Sequence, residues 1–256
     1  MRVLAVAHLT LVELWRQRTQ WGFILLGLIM TIPGFLPLDG LKVNGSAPGG
    51  RALAEGFLNF AQFVAVFLAI SAASGLVSQD LERGTGLLLL SKPLARWQIL
   101  LGKLLGAGCF MTLAWLAWGL VAGGAIGLRL GDDLFAPTVL AFAASAGTSW
   151  LLVAFCLGLS CVLPANAVMG LGVMAWIVSV AAPQVAGLIE GSYPILARLL
   201  RTLGEVLPAE KLSDLATRAI TGEAPQARHL APLLLIGFWW VVATTVFARR
   251  DLATSA

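Results

Sequence analysis

The residues of this chain that could do chemistry are concentrated in one short charged stretch, residues 78–96. Long apolar runs flank the stretch, and its charges stand near both ends, on Asp80, Glu82, Arg83, Lys92 and Arg96. Between the charges come two glycines around a threonine, then four leucines, and a proline follows them. Glycine and proline mark helix ends, so the leucines form a short apolar surface between charges. The pattern predicts a helix at the membrane surface that another protein grips; alternatively, its cations only set the topology.

Motifs that would give the chain a chemistry of its own are missing from the sequence. It contains no G-x-x-x-x-G-K-[ST] phosphate loop, no H-E-x-x-H and no G-x-S-x-G. Its two histidines, His8 and His229, are far apart, and its three cysteines lie inside apolar runs, where packing is a commoner role than metal binding. We therefore expect no catalytic, cofactor or metal site in this chain. It is no enzyme by itself, and any work it does must be driven by a partner.

The composition indicates an integral membrane protein. The chain is 59% hydrophobic and 12% charged, whereas soluble domains are about 25% charged. Several apolar runs exceed the roughly 18 uncharged residues that mark a bilayer span. The net charge of +4 reports topology and contact with anionic lipid rather than nucleic-acid binding, because the Lys and Arg residues form no clustered basic face.

The apolar runs predict a single all-α transmembrane domain over residues 1–256 with six spans. Their approximate limits are 21–38, 57–77, 104–128, 134–163, 167–189 and 230–248. Glycines recur at four-residue steps in the third run, at Gly119, Gly123 and Gly127. Small residues at this spacing let helix backbones approach closely, so these three predict a helix-packing stripe.

Three segments lie outside the predicted spans, in addition to short turns. Residues 1–20 are amphipathic and predict an interfacial helix whose apolar face holds Leu4, Ala7, Leu11, Leu14 and Trp15. Residues 78–100 form the charged segment, and residues 190–229 predict an external segment of amphipathic helices. The membrane-surface anchors are aromatic or basic residues expected at headgroup depth: Trp15, Arg16, Arg18, Trp21 and Trp97.

The distribution of Lys and Arg predicts that both termini are cytoplasmic. With that orientation the inner segments hold nine basic residues: Arg2, Arg16, Arg18, Arg83, Lys92, Arg96, Lys103, Arg249 and Arg250. The short outer loops hold three: Lys42, Arg51 and Arg129. Because short cytoplasmic loops carry the excess of basic residues, the charged segment is expected inside the cell and residues 190–229 outside it.

The residues of the charged stretch also follow a family pattern. An acidic residue, a Gly-Thr pair, leucines, a proline and an arginine come in this order, and a lysine opens the next helix: Glu82, Gly84, Thr85, Leu88, Leu89, Pro93, Leu94, Arg96 and Lys103. This order, with the layout of the spans, resembles ABC-2 type permeases, the membrane subunits of type V ABC transporters. Ala95 departs from the usual serine or threonine. The sequence of residues 78–85 is most similar to that of permeases of the multicopper-enzyme and nitrous oxide reductase maturation group.

The resemblance implies a permease in the bacterial cytoplasmic membrane that works as a homodimer with two separate ATPase subunits. Those subunits would bind ATP and Mg. The coupling residues would be Asp80, Glu82, Arg83, Gly84, Thr85, Leu88, Leu89, Pro93 and Arg96, with Pro164 and Asn166 as a second cytosolic contact. Two functions stay open: ATP-driven export of a substrate, or transmission of ATPase motion to an external partner protein without export.

Overall fold

The computed structural model describes residues 2–31, 50–82, 95–130, 132–206 and 231–249. These residues form helices joined by short connections, and no strand occurs among them. The helices are α1 (Arg2–Arg16), α2 (Arg18–Thr31), α3 (Gly50–Ser74), α4 (Ser78–Glu82), α5 (Arg96–Leu130), α6 (Phe135–Ser160), α7 (Ala165–Ile189), α8 (Pro194–Val206) and α9 (Ala231–Arg249). A 3-10 turn, Asp132–Leu134, precedes α6.

Four helical stretches are long and apolar enough to cross a membrane: Arg51–Asp80, Arg96–Leu128, Phe135–Ser160 and Ala165–Ile189. A shorter apolar helix covers Leu234–Arg249. The prediction of an all-helical, multi-pass membrane protein is thereby confirmed. The number of six spans stays a prediction, because part of the first predicted span, residues 32–38, lies outside the described residues.

The core lies where α3, α5 and α6 pack together, and small residues set how close they come. A Cβ atom on Gly119 would lie 2.7 Å from the Cβ of Phe142, and one on Gly123 would lie 3.1 Å from a methyl of Val139. Gly127 is also buried. Gly119 and Gly123 thus seat α5 on α6 within one chain.

Three tryptophans on α5 and α6 pack into or against this core with their N–H groups paired. Trp115 donates to the hydroxyl of Ser149 at 2.8 Å. Trp118 donates to the carbonyl of Ile24 at 3.0 Å, and Trp150 donates to the hydroxyl of Thr112 at 3.0 Å. Since a buried indole N–H needs a partner, these contacts fix the neighbouring helices in one arrangement.

Helix α1 packs along the first part of α5 through two glycines. A Cβ on Gly102 would lie 2.6 Å from the Cβ of Val6, and one on Gly106 would lie 2.5 Å from the carbonyl oxygen of Ala7. The buried face of α1 is therefore Val6, Thr10 and Leu14. The predicted apolar face differs: Leu4 and Trp15 are exposed, because the glycine notch on α5 selects which side of α1 is covered.

Helix α8 turns back along the second half of α7. A Cβ on Gly204 would lie 3.0 Å from the ring of Pro183 and 3.5 Å from the carbonyl oxygen of Ser179. Pro183 lies inside α7, as its sequence position predicts. The first part of the predicted external segment is thus a helix packed on α7, and residues 207–229 lie outside the described residues.

Candidate functional site

The candidate site is the junction where α3 gives way to α4, immediately before the charged stretch. The chain leaves the helical path at residues 75–77 and becomes helical again at Ser78. A carbonyl group released from the helical hydrogen-bond ladder can accept a hydrogen bond from elsewhere in the molecule. At this junction the released carbonyl belongs to Leu76.

A lysine from α5 reaches into this break. The ammonium of Lys103 donates to the carbonyl oxygen of Leu76 and lies 2.6 Å from a carboxylate oxygen of Asp80. The Lys103 side chain is 6% exposed and that of Asp80 is 20% exposed. Because both charges are largely removed from water, losing one partner would leave the other poorly solvated, at a cost of about 3–5 kcal/mol. The pair joins α4 to α5.

A serine from the last turn of α6 completes the junction. The hydroxyl oxygen of Ser160 accepts hydrogen bonds from the backbone N–H groups of Val77 and Ser78, at 3.1 and 3.2 Å. These N–H groups stand at the start of α4, where the helix provides no acceptor for them. Ser160 therefore holds the start of α4 from α6, while Lys103 holds its middle from α5.

The start of α5 is also fastened to the end of α9. The guanidinium of Arg96 donates to the carbonyls of Phe247 and Ala248, at 3.1 and 3.0 Å, and lies 5.9 Å from the centre of the Phe247 ring. The last carbonyls of a helix lack intrahelical partners, and a cation there is favourable. The start of α5, α4 and the end of α9 therefore lie at one end of the bundle.

The predicted coupling residues are only partly covered by the described structure. The carboxylate of Asp80 is turned inward to Lys103, and Arg96 is turned to α9. Glu82 is the last residue of α4. The other predicted coupling residues lie outside the described residues: Arg83, Gly84, Thr85, Leu88, Leu89 and Pro93.

The predicted second contact, Pro164 and Asn166, lies near α4. Both residues are exposed. Pro164 caps the start of α7, and its carbonyl accepts from the N–H groups of Ala167 and Val168, at 3.0 and 3.1 Å. Only a short turn separates Pro164 from Ser160, which holds α4. The structure thus brings the α6–α7 turn and α4 to the same end of the bundle.

The predicted membrane-surface anchors have exposed side chains. Trp15 and Trp21 meet edge to face with ring centres 4.7 Å apart, and the indole N–H of Trp21 donates to the carbonyl of Trp15 at 2.7 Å. Arg16 and Arg18 beside them are exposed, as is Trp97 at the start of α5. The tryptophan contact holds the bend between α1 and α2.

An ion pair closes the turn between α7 and α8. The Arg201 guanidinium donates to both carboxylate oxygens of Glu190. These hydrogen bonds, with the positive charge, hold the pKa of Glu190 below its ordinary value. Beside the pair, the start of α8 and Tyr193 just before it expose an apolar surface formed by Tyr193, Ile195, Leu196 and Leu199.

Several residues that organise the junction were not predicted as site residues. The sequence predicts Lys103 at the edge of the third span, whereas the structure places it inside the continuous helix α5. The signal was a cation next to Gly102 and three residues before Gly106, which form a G-x-x-x-G packing pattern. Ser160 gave no such signal, because serine in an apolar helix commonly bonds to its own backbone.

Comparison with known proteins agrees with the fold. No protein of curated function matches the sequence of this chain. The family described as ABC-2 family transporter protein matches residues 5–252, which is nearly the whole chain and includes the α3–α4–α5 junction. A match of this extent covers the described helices, apart from the first three residues of α1, rather than one motif. The chain therefore belongs to the ABC-2 family of transporter proteins.

Proposed function

We propose that this chain is the permease subunit of an ATP-driven ABC transporter in the bacterial cytoplasmic membrane. It would couple ATP hydrolysis by a separate ATPase subunit to export of a substrate. The observation that carries the proposal is the contact of α4 with Ser160, the last residue of α6 before the α6–α7 turn, at one end of the bundle. These two elements lead into or contain the residues expected to contact an ATPase, and family membership supports such a partner.

In this proposal the charged segment acts as the coupling helix. The ATPase pair holds ATP and Mg, and its closure pushes on residues 82–93. Pro164 and Asn166 give the ATPase a smaller second contact. The permease itself supplies no nucleotide site, so its part is to receive the push and to rearrange its spans.

A second copy of the chain belongs to the proposed complex, and we expect it against α7. Only 28% of the most apolar window of α7 is buried within the chain, against 56–72% for the other three long spans. Its uncovered side is apolar and carries Met169, Leu171, Met174 and Ile177. A span with so little cover from the described part of its own chain has room for the same helix of a second copy.

The coupling role predicts that charge reversal at the end of α4 separates ATP hydrolysis from transport. We expect Glu82→Lys, or Gly84→Leu combined with Thr85→Leu, to insert normally but to lose wild-type stimulation of the ATPase. The measurement is ATP hydrolysis by the complex purified from native membranes, together with the amount of ATPase subunit retained.

The matched control for this test is Glu55→Lys, the same charge reversal near the opposite end of α3. It should leave both quantities unchanged. If the Glu82→Lys complex keeps its ATPase subunit and its wild-type rate of ATP hydrolysis, the coupling role is wrong.

The proposed orientation can be tested at the α7–α8 turn. Ser192 is exposed and lies beside the ion-paired Glu190. In a variant without the native cysteines, Ser192→Cys should react with a membrane-impermeant maleimide added outside intact cells. Labelling only after the cytoplasmic face is opened would reverse the assignment of both termini to the cytoplasm.

The alternative function is transmission of ATPase motion to an external partner protein, such as a factor for metalloenzyme maturation. The apolar surface at the start of α8, formed by Tyr193, Ile195, Leu196 and Leu199, favours it, because the described part of the chain leaves that surface uncovered. Crosslinking from Ser192→Cys in whole cells distinguishes the two functions: a specific external protein supports transmission, and its absence alongside measurable export supports the permease.

A further inference from the structure

We propose that Lys103 is the joint through which motion of the coupling helix enters the membrane spans. Its ammonium would carry the displacement of α4 into α5 through Asp80 and the Leu76 carbonyl. Asp80 would then be an internal positioning residue rather than an ATPase contact. The inference rests on the proposed function, because it needs a force that arrives at residues 82–93.

The geometry gives α4 three fastenings on three helices. Its chain is continuous with α3, Ser160 of α6 accepts from its first N–H groups, and Lys103 of α5 holds Asp80. Helix α4 therefore cannot shift without breaking one of these contacts or moving the attached helix. Because the ion pair and the hydrogen bonds join whole helices, a small displacement of α4 becomes a movement of long spans.

Lysine suits this position because its ammonium has three donors and no acceptor. One donor meets the Leu76 carbonyl and another meets the Asp80 carboxylate, so one side chain binds both the break that follows α3 and the helix α4 beyond it. An apolar pair of similar size could fill the same space, and such replacements of buried ion pairs are often neutral or stabilising. Ionisable residues within spans are costly and usually functional. A role in transmission explains why this position carries a charged pair instead of an apolar one.

The position of Lys103 on α5 also favours transmission. Its neighbours Gly102 and Gly106 seat α1 on another side of the same helical turn. A pull on the ammonium therefore acts on α5 where α1 is packed against it. Further along, α5 carries Trp115 and Trp118, whose hydrogen bonds reach α6 and α2. Displacement of α5 would thus reach most of the bundle.

The test uses the chain in its complex with the ATPase, and it follows α5 directly. Cys109 lies on α5 and is exposed, whereas Cys156 and Cys161 are buried. A spin label on Cys109 of both copies reports the distance between the two α5 helices. In the wild type we expect this distance to change when ATP and vanadate trap the ATPase closed.

The decisive variant is the double replacement Lys103→Met with Asp80→Leu. We expect it to fold, to retain the ATPase subunit and to match the thermal stability of the wild type, but to lose the change in the Cys109 distance. If the ion pair only stabilises the fold, the Cys109 distance should still change in this variant as long as the protein is stable. If the Cys109 distance changes as much in this variant as in the wild type, Lys103 does not transmit the motion of α4.

Two further variants keep the test sharp. Arg51→Met with Glu55→Leu removes two charges from the opposite end of α3 and should leave the distance change intact. If the double variant at the junction does not fold, Asp80→Asn is tested instead, because it removes the charge and keeps the shape of the side chain. A smaller change in the Cys109 distance than in the wild type then supports the role of Lys103, and a change of the same size contradicts it. If the wild type itself shows no change, the proposed ATP coupling fails, and the joint fails with it.

Discussion

Replacing Gly106 with leucine is expected to separate α1 from α5 and to destabilise the protein strongly. A Cβ at this position would lie 2.5 Å from the backbone carbonyl oxygen of Ala7 and 2.7 Å from the Cβ of Thr10. A backbone carbonyl within a helix cannot turn away, so α1 must move as a body. Overpacking of this kind costs about 1–3 kcal/mol. The leucine also removes the cover of Val6, Thr10 and Leu14.

The measurement is the temperature at which the detergent-solubilised protein loses its monodisperse peak. For a chain of this size, a loss of about 2 kcal/mol lowers such a midpoint by roughly 4–8 °C. Gly124→Leu is the matched control, since it lies on the same helix and no atom would lie within 4 Å of its Cβ. Equal midpoints for the two variants would mean that the notch does not hold α1.

Replacing Trp118 with alanine is expected to destabilise the protein even more than Gly106→Leu does. The side chain is 0% exposed, its indole sits on Gly27, and its N–H donates to Ile24. Truncation of a buried tryptophan costs about 3–5 kcal/mol. In a membrane, van der Waals packing supplies much of the free energy that holds helices together. The cavity left by the tryptophan therefore weakens the packing of α2 directly.

Two companion variants separate packing from hydrogen bonding at this position. Trp118→Phe keeps most of the ring and loses the N–H, so it should cost about 1 kcal/mol. Trp97→Ala removes an exposed ring from the same helix and should leave the thermal midpoint close to the wild type. If the Trp118→Ala and Trp97→Ala proteins had the same thermal midpoint, Trp118 would not be holding α2 in place.

Two faces of α5 hold different neighbouring elements. One face holds α1 through Gly102 and Gly106, and another holds the break at residues 75–77 and α4 through Lys103. The glycines allow close approach without polar contact, whereas the lysine makes polar contacts that specify one arrangement. Substitutions at Gly106 are therefore expected to lower stability, and substitutions at Lys103 with its partner are expected to alter transmission. These separate effects allow the two roles to be measured independently.

The sequence by itself determined the class of this protein. Runs longer than a bilayer span and the scarcity of charge require helices in a membrane, because lipid offers no partners for backbone groups. The pattern from Glu82 to Lys103 also identified the family resemblance, which the match over residues 5–252 confirmed. These features are local, so they can be read without knowing which helices are neighbours.

Only the tertiary structure decided how the charged stretch is held. Ser160 meets Ser78 across 82 positions of sequence, and Lys103 meets a carbonyl that is free only because α3 breaks near Gly75. The same reason explains α1: periodicity shows that it has an apolar side, but the notch at Gly102 and Gly106 selects Val6, Thr10 and Leu14. Pairing between distant segments depends on packing geometry, and that geometry turned Asp80 from a surface charge into an internal one.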